Sequence, residues 1–330
     1  LWLIDYHGRD VGVTQDEALK VETTPALRWR FFTRWISVCF SRRSARRPDI
    51  IVASGDCYIG LVAYLAAFVC GAKFVFDVYD RYDVFAGYRR VPGFDPLSFL
   101  LRRSWLATFA STKVLDDLKP LTAKGLLGPN GVDLARFRPL PMLESRKQFG
   151  LPEGTALAGY FGSMEPERGI EDLITAVATL VDSGMEVNLV IGGKADPNIN
   201  FDYPWLHYLG NIEFSKMPAA LASCDVLTLP YRQGAFVDNA SSCKIAEYIA
   251  VQRPVVATCS PNLTRNFPRQ AEQLDGLLAT PGDAKELAQC LRSQLSERRL
   301  VDMPMGMSWQ EIGEKMLAVL ENPGAHKDAQ

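Results

Sequence analysis

The residues best suited to chemistry lie in Ser241-Ser242-Cys243-Lys244-Ile245-Ala246-Glu247-Tyr248, followed by Arg253-Pro254-Val255-Val256-Ala257. Ser241 or Ser242 is a natural N-cap, so free backbone N–H groups and the positive end of a helix fall there. A phosphate is well held at such a place. Lys244 and Glu247 are three residues apart and share a helix face. A cation beside a phosphate and a carboxylate one turn deeper suit a ligand that carries a diphosphate next to a diol. The same spacing also describes a capped amphipathic helix with an i,i+3 ion pair, and spacing alone leaves both readings open.

A second segment, Gly159-Tyr160-Phe161-Gly162-Ser163-Met164-Glu165-Pro166-Glu167-Arg168-Gly169-Ile170, reads as a strand, a glycine turn and a helix. Gly162 lets a ligand approach the backbone, and Arg168 can grip phosphate oxygens in a bidentate manner. Most glycine turns between strand and helix are mere connections, so this signal gains weight only in company. A third segment, Phe76-Asp77-Val78-Tyr79-Asp80-Arg81-Tyr82-Asp83, follows an apolar strand, where active-site loops of α/β proteins emerge. Asp80 is its candidate base, against the reading of a turn or cap aspartate. Tyr79 and Asp83 are secondary candidates. His7, His207 and His326 lie far apart without metal-ligand spacing; His207 reads as structural and His7 as a surface imidazole.

These segments need elements to position them. Strand Asp49–Ser54, helix Cys57–Cys70 and strand Lys73–Val78 follow a basic helical stretch from Pro25 to Arg47. Pro139, Pro141, Pro152 and Gly154 punctuate an expected linker. A second series then runs through strand Ala156–Phe161, helix Ile170–Asp182, strand Glu186–Ile191, helix Lys216–Ser223 and strand Asp225–Leu229. It continues with helix Ser242–Val251, strand Pro254–Thr258, a short strand near Gly276–Ala279 and helix Ala284–Ser296, before a final helix, Trp309–Leu320. Strands alternating with helices of this length imply parallel sheets wound by right-handed crossovers. The expectation is two Rossmann-like halves, with a ligand at the carboxyl ends of the strands.

Composition fits that picture. The 330 residues are too many for one ordinary domain of ~150 residues. Hydrophobic residues at 48% and charged residues at 22% are globular values. A net charge of -2 gives no global field for nucleic acid or anionic lipid. Seven Cys without a CxxC pair argue for reduced thiols and a cytoplasmic setting. The longest apolar run, Tyr58–Ala72, is short of the ~20 residues of a membrane span, so the chain reads as soluble. It begins at Leu1 rather than Met, which leaves room for upstream residues.

One local exception is the basic-aromatic stretch of residues 26–47. Trp29, Phe32, Ile36 and Phe40 recur near helical spacing, with Arg28, Arg34 and Arg42 on other faces. Such a helix can lie on an anionic membrane surface. The commoner arrangement, an amphipathic helix packed on the first sheet with a solvated basic face, is the working expectation. No nucleic-acid recognition motif accompanies the charge.

From about Lys73 onward the chain resembles a glycosyltransferase of the GT-B fold, most similar to the retaining family 4. The matching pieces are Pro129-Asn130-Gly131-Val132-Asp133 with Phe137, the Gly162–Gly169 turn, Ile191-Gly192-Gly193, Leu209-Gly210-Asn211-Ile212 and Asp225-Val226-Leu227-Thr228-Leu229-Pro230. The most specific is Lys244-Ile245-Ala246-Glu247-Tyr248 running into Pro254-Val255-Val256-Ala257.

The resemblance implies an α/β GT-B fold of two Rossmann-like domains facing a cleft. Residues 1–141 would bind acceptor, 142–307 the donor, and 308–330 would return to the N-terminal domain. It implies a hexosyltransferase that moves a sugar from a UDP- or GDP-sugar to a glycan or lipid-linked hydroxyl acceptor. No metal or other cofactor is required, and the setting is polysaccharide or glycoconjugate synthesis, in the cytoplasm or at the inner membrane face. Glu247 resembles the glutamate that holds the donor ribose, and Arg168 stands where a basic residue neutralises the diphosphate. Gly162, Ser163, Tyr231, Ser241, Ser242 and Lys244 would line the phosphate and sugar side. Gly192, Gly193, Asn211 and Ile212 would approach the base.

Three positions depart from the pattern. Ser163 replaces a common Arg, Asn239 stands where a first glutamate is usual (with Asp238 beside it), and Tyr79 falls at an acceptor-side His. The departures keep two alternatives open: a non-catalytic sugar-nucleotide binder, and an inverting enzyme with Asp80 as base.

Overall fold

Strands and helices alternate along the chain in the computed structural model, which describes residues 1–5, 13–15, 20–26, 29–40, 47–84, 87–90 and 92–321. His7, His326, Arg28, Arg42, Arg43 and Arg46 lie outside the described residues. The chain divides into two units, Leu1–Thr108 with Leu118–Leu126, and Phe109–Asp117 with Leu127–Gln330.

The first unit opens with β1 (Trp2–Asp5), β2 (Val13–Gln15), β3 (Lys20–Pro25) and α1 (Trp29–Cys39). β3 takes β1 as a parallel neighbour and β2 as an antiparallel one, in a three-stranded sheet of their own. Trp2–Asp5 is thus a strand of this small sheet and not of the larger one. That sheet is built from β4 (Ile50–Ser54), β5 (Lys73–Val78), β6 (Leu106–Phe109) and β7 (Gly125–Leu127), in that spatial order.

Between β4 and β5 runs α2 (Cys57–Cys70). Asp56 starts this helix by accepting the Tyr58 and Ile59 N–H groups at 2.9 Å, and Gly71 ends it in the left-handed region. α2 is apolar on most of its circumference because it is covered from several directions, by β4, β5, α1 and α3 (Pro96–Arg103). α1 departs from the sequence expectation. It buries Phe31 and Cys39, and the Trp35 indole donates to Val62 O (3.0 Å), but its other aromatic residues face solvent.

α4 (Thr112–Leu118) is counted with the second unit apart from its last residue. The expected Pro-rich linker holds α5 (Met142–Phe149), fixed by a buried arginine. Arg146 donates to the carbonyls of Pro152, Glu153, Thr155 and Ser223 and pairs with Asp225 at 2.6 Å. The stretch failed to read as a helix because its eight residues are mostly polar.

The sheet of this unit comprises β8 (Ala156–Phe161), β9 (Val187–Gly192), β10 (Leu206–Tyr208), β11 (Val226–Leu229), β12 (Val255–Thr258) and β13 (Leu278–Ala279). Their spatial order is β10-β9-β8-β11-β12-β13, and every neighbouring pair is parallel. Counted within the unit this is 3-2-1-4-5-6, the doubly wound order in which the winding reverses between the first and fourth strands. The strands are Val-, Leu- and Ala-rich and almost wholly buried, as a sheet covered on both faces requires. Helices α6 (Ile170–Asp182), α7 (Met217–Ala222), α8 (Ala235–Asn239), α9 (Cys243–Ala250), α10 (Pro261–Thr264), α11 (Pro268–Gln273) and α12 (Ala284–Glu297) connect or follow them. α13 (Trp309–Glu321) packs Trp309 and Ile312 against Gly131, and Val132 N donates to Met307 O (2.8 Å).

Candidate functional site

The reversal between β8 and β11 leaves a crevice at their carboxyl ends, where ligands of such sheets bind. β8 runs directly into Gly162, whose N–H donates to Gly192 O at the end of β9 (2.8 Å). Gly162 has φ +147°, and a Cβ there would lie 2.3 Å from the Lys244 amine. Gly193 has φ +134°, and its Cβ would lie 1.9 Å from Gly162 O. No side chain fits at either position, so the two turns present bare backbone side by side.

Lys244 comes from the first turn of α9. Its amine lies over the Tyr160 ring (5.4 Å) and the Tyr231 ring (5.8 Å), and donates to the Tyr231 hydroxyl at 3.5 Å. That hydroxyl also pairs with Ser242 Oγ (3.2 Å). Ser242 is the N-cap of α9 but makes no side-chain capping bond. Arg168, largely buried, lies between two rings, with its guanidinium carbon 5.2 Å from Tyr231 and 5.5 Å from Phe236. Glu165 is its carboxylate partner, at the loose distance of 3.4 Å. Burial opposes the Arg168 charge, but Tyr231, Tyr160 and Glu165 outweigh it and hold its pKa above the ordinary value.

One turn deeper on α9, burial pushes the Glu247 carboxyl above its usual range, against the opposing pull of Lys244 and of a hydrogen bond from Cys243. The Cys243 thiol is itself pushed up to about 11 by burial and by Glu247, so it stays protonated at neutral pH. The buried Tyr248 hydroxyl receives the Phe161 N–H (3.2 Å) and thereby ties α9 to the end of β8.

The loop before α9 is pinned by side chains that sequence reading left out of the site. Asn130 donates to Ser241 O (2.7 Å), Asn262 accepts the Ser242 N–H (3.1 Å), and Asn262 also donates to Val237 O (3.0 Å). Asn239 donates to Ala235 O (2.6 Å). At the end of α8 and in this loop, Asp238 Oδ1, Asn239 Oδ1 and Ser241 Oγ are buried without a hydrogen-bond partner, which marks a polar lining with unused capacity. On the β9 side, the Tyr208 hydroxyl donates to Gly193 O (2.8 Å), Ile212 packs on Gly192, and Asn211 is exposed.

The sequence-derived residues Gly162, Ser163, Arg168, Gly192, Gly193, Ile212, Tyr231, Ser242, Lys244 and Glu247 thus gather along one edge of one sheet. Tyr160 and Phe236 were missed because each reads as core. Asp80, Tyr79 and Asp83 belong to the other unit, in the turn after β5. Asp80 is half-buried and Tyr79 exposed, while Asp83 is ion-paired with Arg81 (2.7 Å) and Arg90 (3.2 Å). His207 pairs with Asn188 at 2.9 Å. A separate cavity of about 470 Å³, lined by Phe137, Arg138, Ile249, Arg253, Leu300 and Met303 among others, contains none of the strand-end residues. Its Arg253 donates to Ala222 O and Leu140 O and serves packing. Among the described residues no three of His, Cys, Asp and Glu cluster as a metal site.

With this geometry in place, comparison with known proteins is informative. Residues 155–297, from the start of β8 to the end of α12, match the family of group 1 glycosyl transferases. The chain is 25% identical over 188 residues to 2-deoxystreptamine glucosyltransferase of Streptomyces kanamyceticus, across 54% of this chain and 46% of the relative. It spans about half the length of the curated relatives it matches. Sucrose-phosphate synthase from Thermosynechococcus elongatus superposes with a TM-score of 0.73 at 17% identity, over 98% of this chain and 88% of the other. Anabaena HepE, solved in complex with UDP, superposes with a TM-score of 0.70 at 17% identity, over 92% and 86%. At these identities the superpositions establish the fold, which is of GT-B type.

Proposed function

We propose that this chain, whose residues 155–297 form a group 1 glycosyltransferase domain in a GT-B fold, transfers a sugar from a nucleotide-diphosphate donor to a hydroxyl acceptor. One observation carries the reading. Two cations, Arg168 and Lys244, converge on Tyr231 beside the bare backbone of Gly162, at the reversal of a doubly wound sheet. Arg168 meets Glu165 only at 3.4 Å and Lys244 meets the Tyr231 hydroxyl at 3.5 Å, loose contacts that leave their charge available to a departing diphosphate.

In this reading a phosphate rests over Gly162 with Arg168 on one side and Lys244 and the α9 N-terminus on the other. These groups are fixed before reaction, so they stabilise the charge that develops as the glycosidic bond breaks without having to reorganise. Glu247 accepts hydrogen bonds from the ribose diol. Gly192, Gly193, Asn211 and Ile212 flank the base. Ser163, Asn239, Ser241 and Ser242 face the phosphate and sugar. The positive potential comes from side chains, and the reading is therefore of a metal-independent enzyme whose turnover survives EDTA. The donor is a UDP- or GDP-sugar and the acceptor a glycan or lipid-linked alcohol, bound by residues 1–141. Retention follows if a donor phosphate oxygen takes the acceptor proton. If Asp80 serves as the general base instead, the product is inverted.

Metal-free calorimetry against UDP, GDP and ADP tests the donor site. Selective binding of one nucleotide that Glu247→Ala abolishes is the expected result, and no binding by any of the three sinks the reading. The Asn239 amide, occupied with Ala235 O where a glutamate would be expected, favours a second reading as a sugar-nucleotide binder without turnover. Slow donor hydrolysis, followed by release of free sugar, separates an enzyme from a binder, and the anomeric configuration by NMR separates retention from inversion.

A further inference from the structure

We infer that Asn262 is a positioning residue for the donor site: it starts α9 from outside the helix and so leaves the helix's own first groups free for a diphosphate. This role presupposes the donor reading above, which does not itself use Asn262. A helix that caps itself spends those groups. The N-cap hydroxyl turns back onto a first-turn N–H, and a carboxylate or amide three residues on takes the N-cap N–H. α9 does neither. Ser242 is its N-cap, but the hydroxyl makes no capping bond and pairs instead with the Tyr231 hydroxyl (3.2 Å). Three residues on stands Ile245, whose side chain has no acceptor to offer. Asn262, from α10, accepts the Ser242 N–H at 3.1 Å in its place. The Cys243 and Lys244 N–H groups make no hydrogen bond among the described residues.

Asn262 is itself firmly placed. It is fully buried on a short helix that begins just after β12, with Pro261 in its first turn and Thr264 Oγ1 donating to Ser260 O (3.1 Å). Its amide donates to Val237 O (3.0 Å), so one side chain grips both flanks of segment 237–242. Asn266, one turn on, donates to Ala240 O (3.1 Å) and to Asn262 O (2.9 Å), and Asn130 donates to Ser241 O (2.7 Å). Val237 O, Ala240 O, Ser241 O and the Ser242 N–H are thus all held by asparagine side chains from elsewhere in the chain. Three of the segment's own oxygens are left unspent, since Asp238 Oδ1, Asn239 Oδ1 and Ser241 Oγ are buried without a partner. A loop braced for stability alone would turn such atoms onto nearby backbone, because each unpaired one costs free energy. Bracing from outside fixes the segment while its oxygens and the α9 N–H groups remain available to a ligand.

Nucleotide and nucleoside binding by the full chain together test this role. The affinity ratio of UDP to uridine, GDP to guanosine or ADP to adenosine reads the phosphate contacts apart from the base contacts. Asn262→Leu should lower that ratio about tenfold for the nucleotide that binds, with nucleoside affinity unchanged. Gln294→Leu is the control, because Gln294 is equally buried and pins Val255 O (3.0 Å) at the opposite end of β12. It should lower the urea midpoint of unfolding as Asn262→Leu does and leave the ratio alone. Ser242→Ala leaves the core intact. Its midpoint should stay at the wild-type value, where loss of a capping serine ordinarily lowers it, while the ratio falls about tenfold. A ratio unchanged in Asn262→Leu, or lowered equally in Gln294→Leu, reduces Asn262 to a stabilising residue and overturns the role. So does a lowered midpoint or an unchanged ratio in Ser242→Ala, which decides alone if Asn262→Leu does not fold. A wild type that binds none of the three nucleotides ends the donor reading and the positioning role with it. A wild type that binds one, with variants that keep its ratio, ends the positioning role alone.

Discussion

Two regions of this protein combine arginine with aromatic rings, and they are built in opposite senses. At the β8–β11 edge Tyr160 and Tyr231 are buried, Phe236 is partly exposed, and the cations are laid across them, with Arg168 between Tyr231 and Phe236 and Lys244 over Tyr160 and Tyr231. On α1 two rings, Trp29 and Phe32, face out, with Arg30 and Arg34 on a neighbouring face. A ring beneath a cation stabilises the charge without neutralising it, which suits a cation that must later meet an anion. A ring beside a cation in water does little for it and is itself available to an apolar phase. Arg146 shows a third arrangement, in which oxygens alone surround a guanidinium that is 3% exposed and leave it nothing further to bind.

The three arrangements predict different responses to loss of the arginine or its ring. Arg146→Ala strips a buried partner from Asp225 and should cost about 3–5 kcal/mol, read as a lower midpoint in urea unfolding. A near-unchanged midpoint would mean that α5 is dispensable to the second unit. Arg168→Ala should leave that midpoint nearly in place while turnover falls on the order of 10²–10³-fold. Full activity in this variant would end the phosphate role. Tyr231→Leu removes the ring that Arg168 and Lys244 share and should cost about 1–2 kcal/mol of nucleotide affinity by calorimetry. Tyr231→Phe should recover most of it, because the hydroxyl contact to Lys244 is long.

The smallest effect concerns pH. Burial raises the Glu247 pKa in the folded state, so this group favours folding when protonated. Its contribution is lost as pH rises from the usual carboxylate value through the raised one. Nucleotide affinity should move the other way, improving over the same window as the carboxylate forms. Glu247→Gln should flatten both profiles, and a mutant that kept the wild-type pH dependence would assign it to another group.

The sequence reveals the second unit far better than the first, for a physical reason. Strands such as Ala156–Phe161 and helices such as Ile170–Asp182 carry strong periodicity and turn residues at both ends, and both emerge with their expected bounds. α5 and β3 are short and polar, and their stability comes from tertiary partners that no local pattern encodes. The same holds for the site. Gly162, Arg168 and Lys244 were legible through types and spacing. Tyr160 was not, because its position in a buried strand hides the fact that its hydroxyl reaches Ser163 O (2.6 Å) and its face meets Lys244. The aromatic residues of α1 mark the converse failure, since helical spacing identified the stripe but could not say whether the fold would cover it.

The strand order of the second unit also sets a schedule for synthesis. β8 lies at the centre of its sheet, between β9 and β11. β9 begins about 26 residues after β8 ends, but β11 follows by about 65 residues. At about 5–20 residues per second, one edge of this apolar strand stays unpaired for about 3–13 s of translation. During that interval the β8 backbone is an open sheet edge, the kind of surface that recruits chaperones or seeds aggregation.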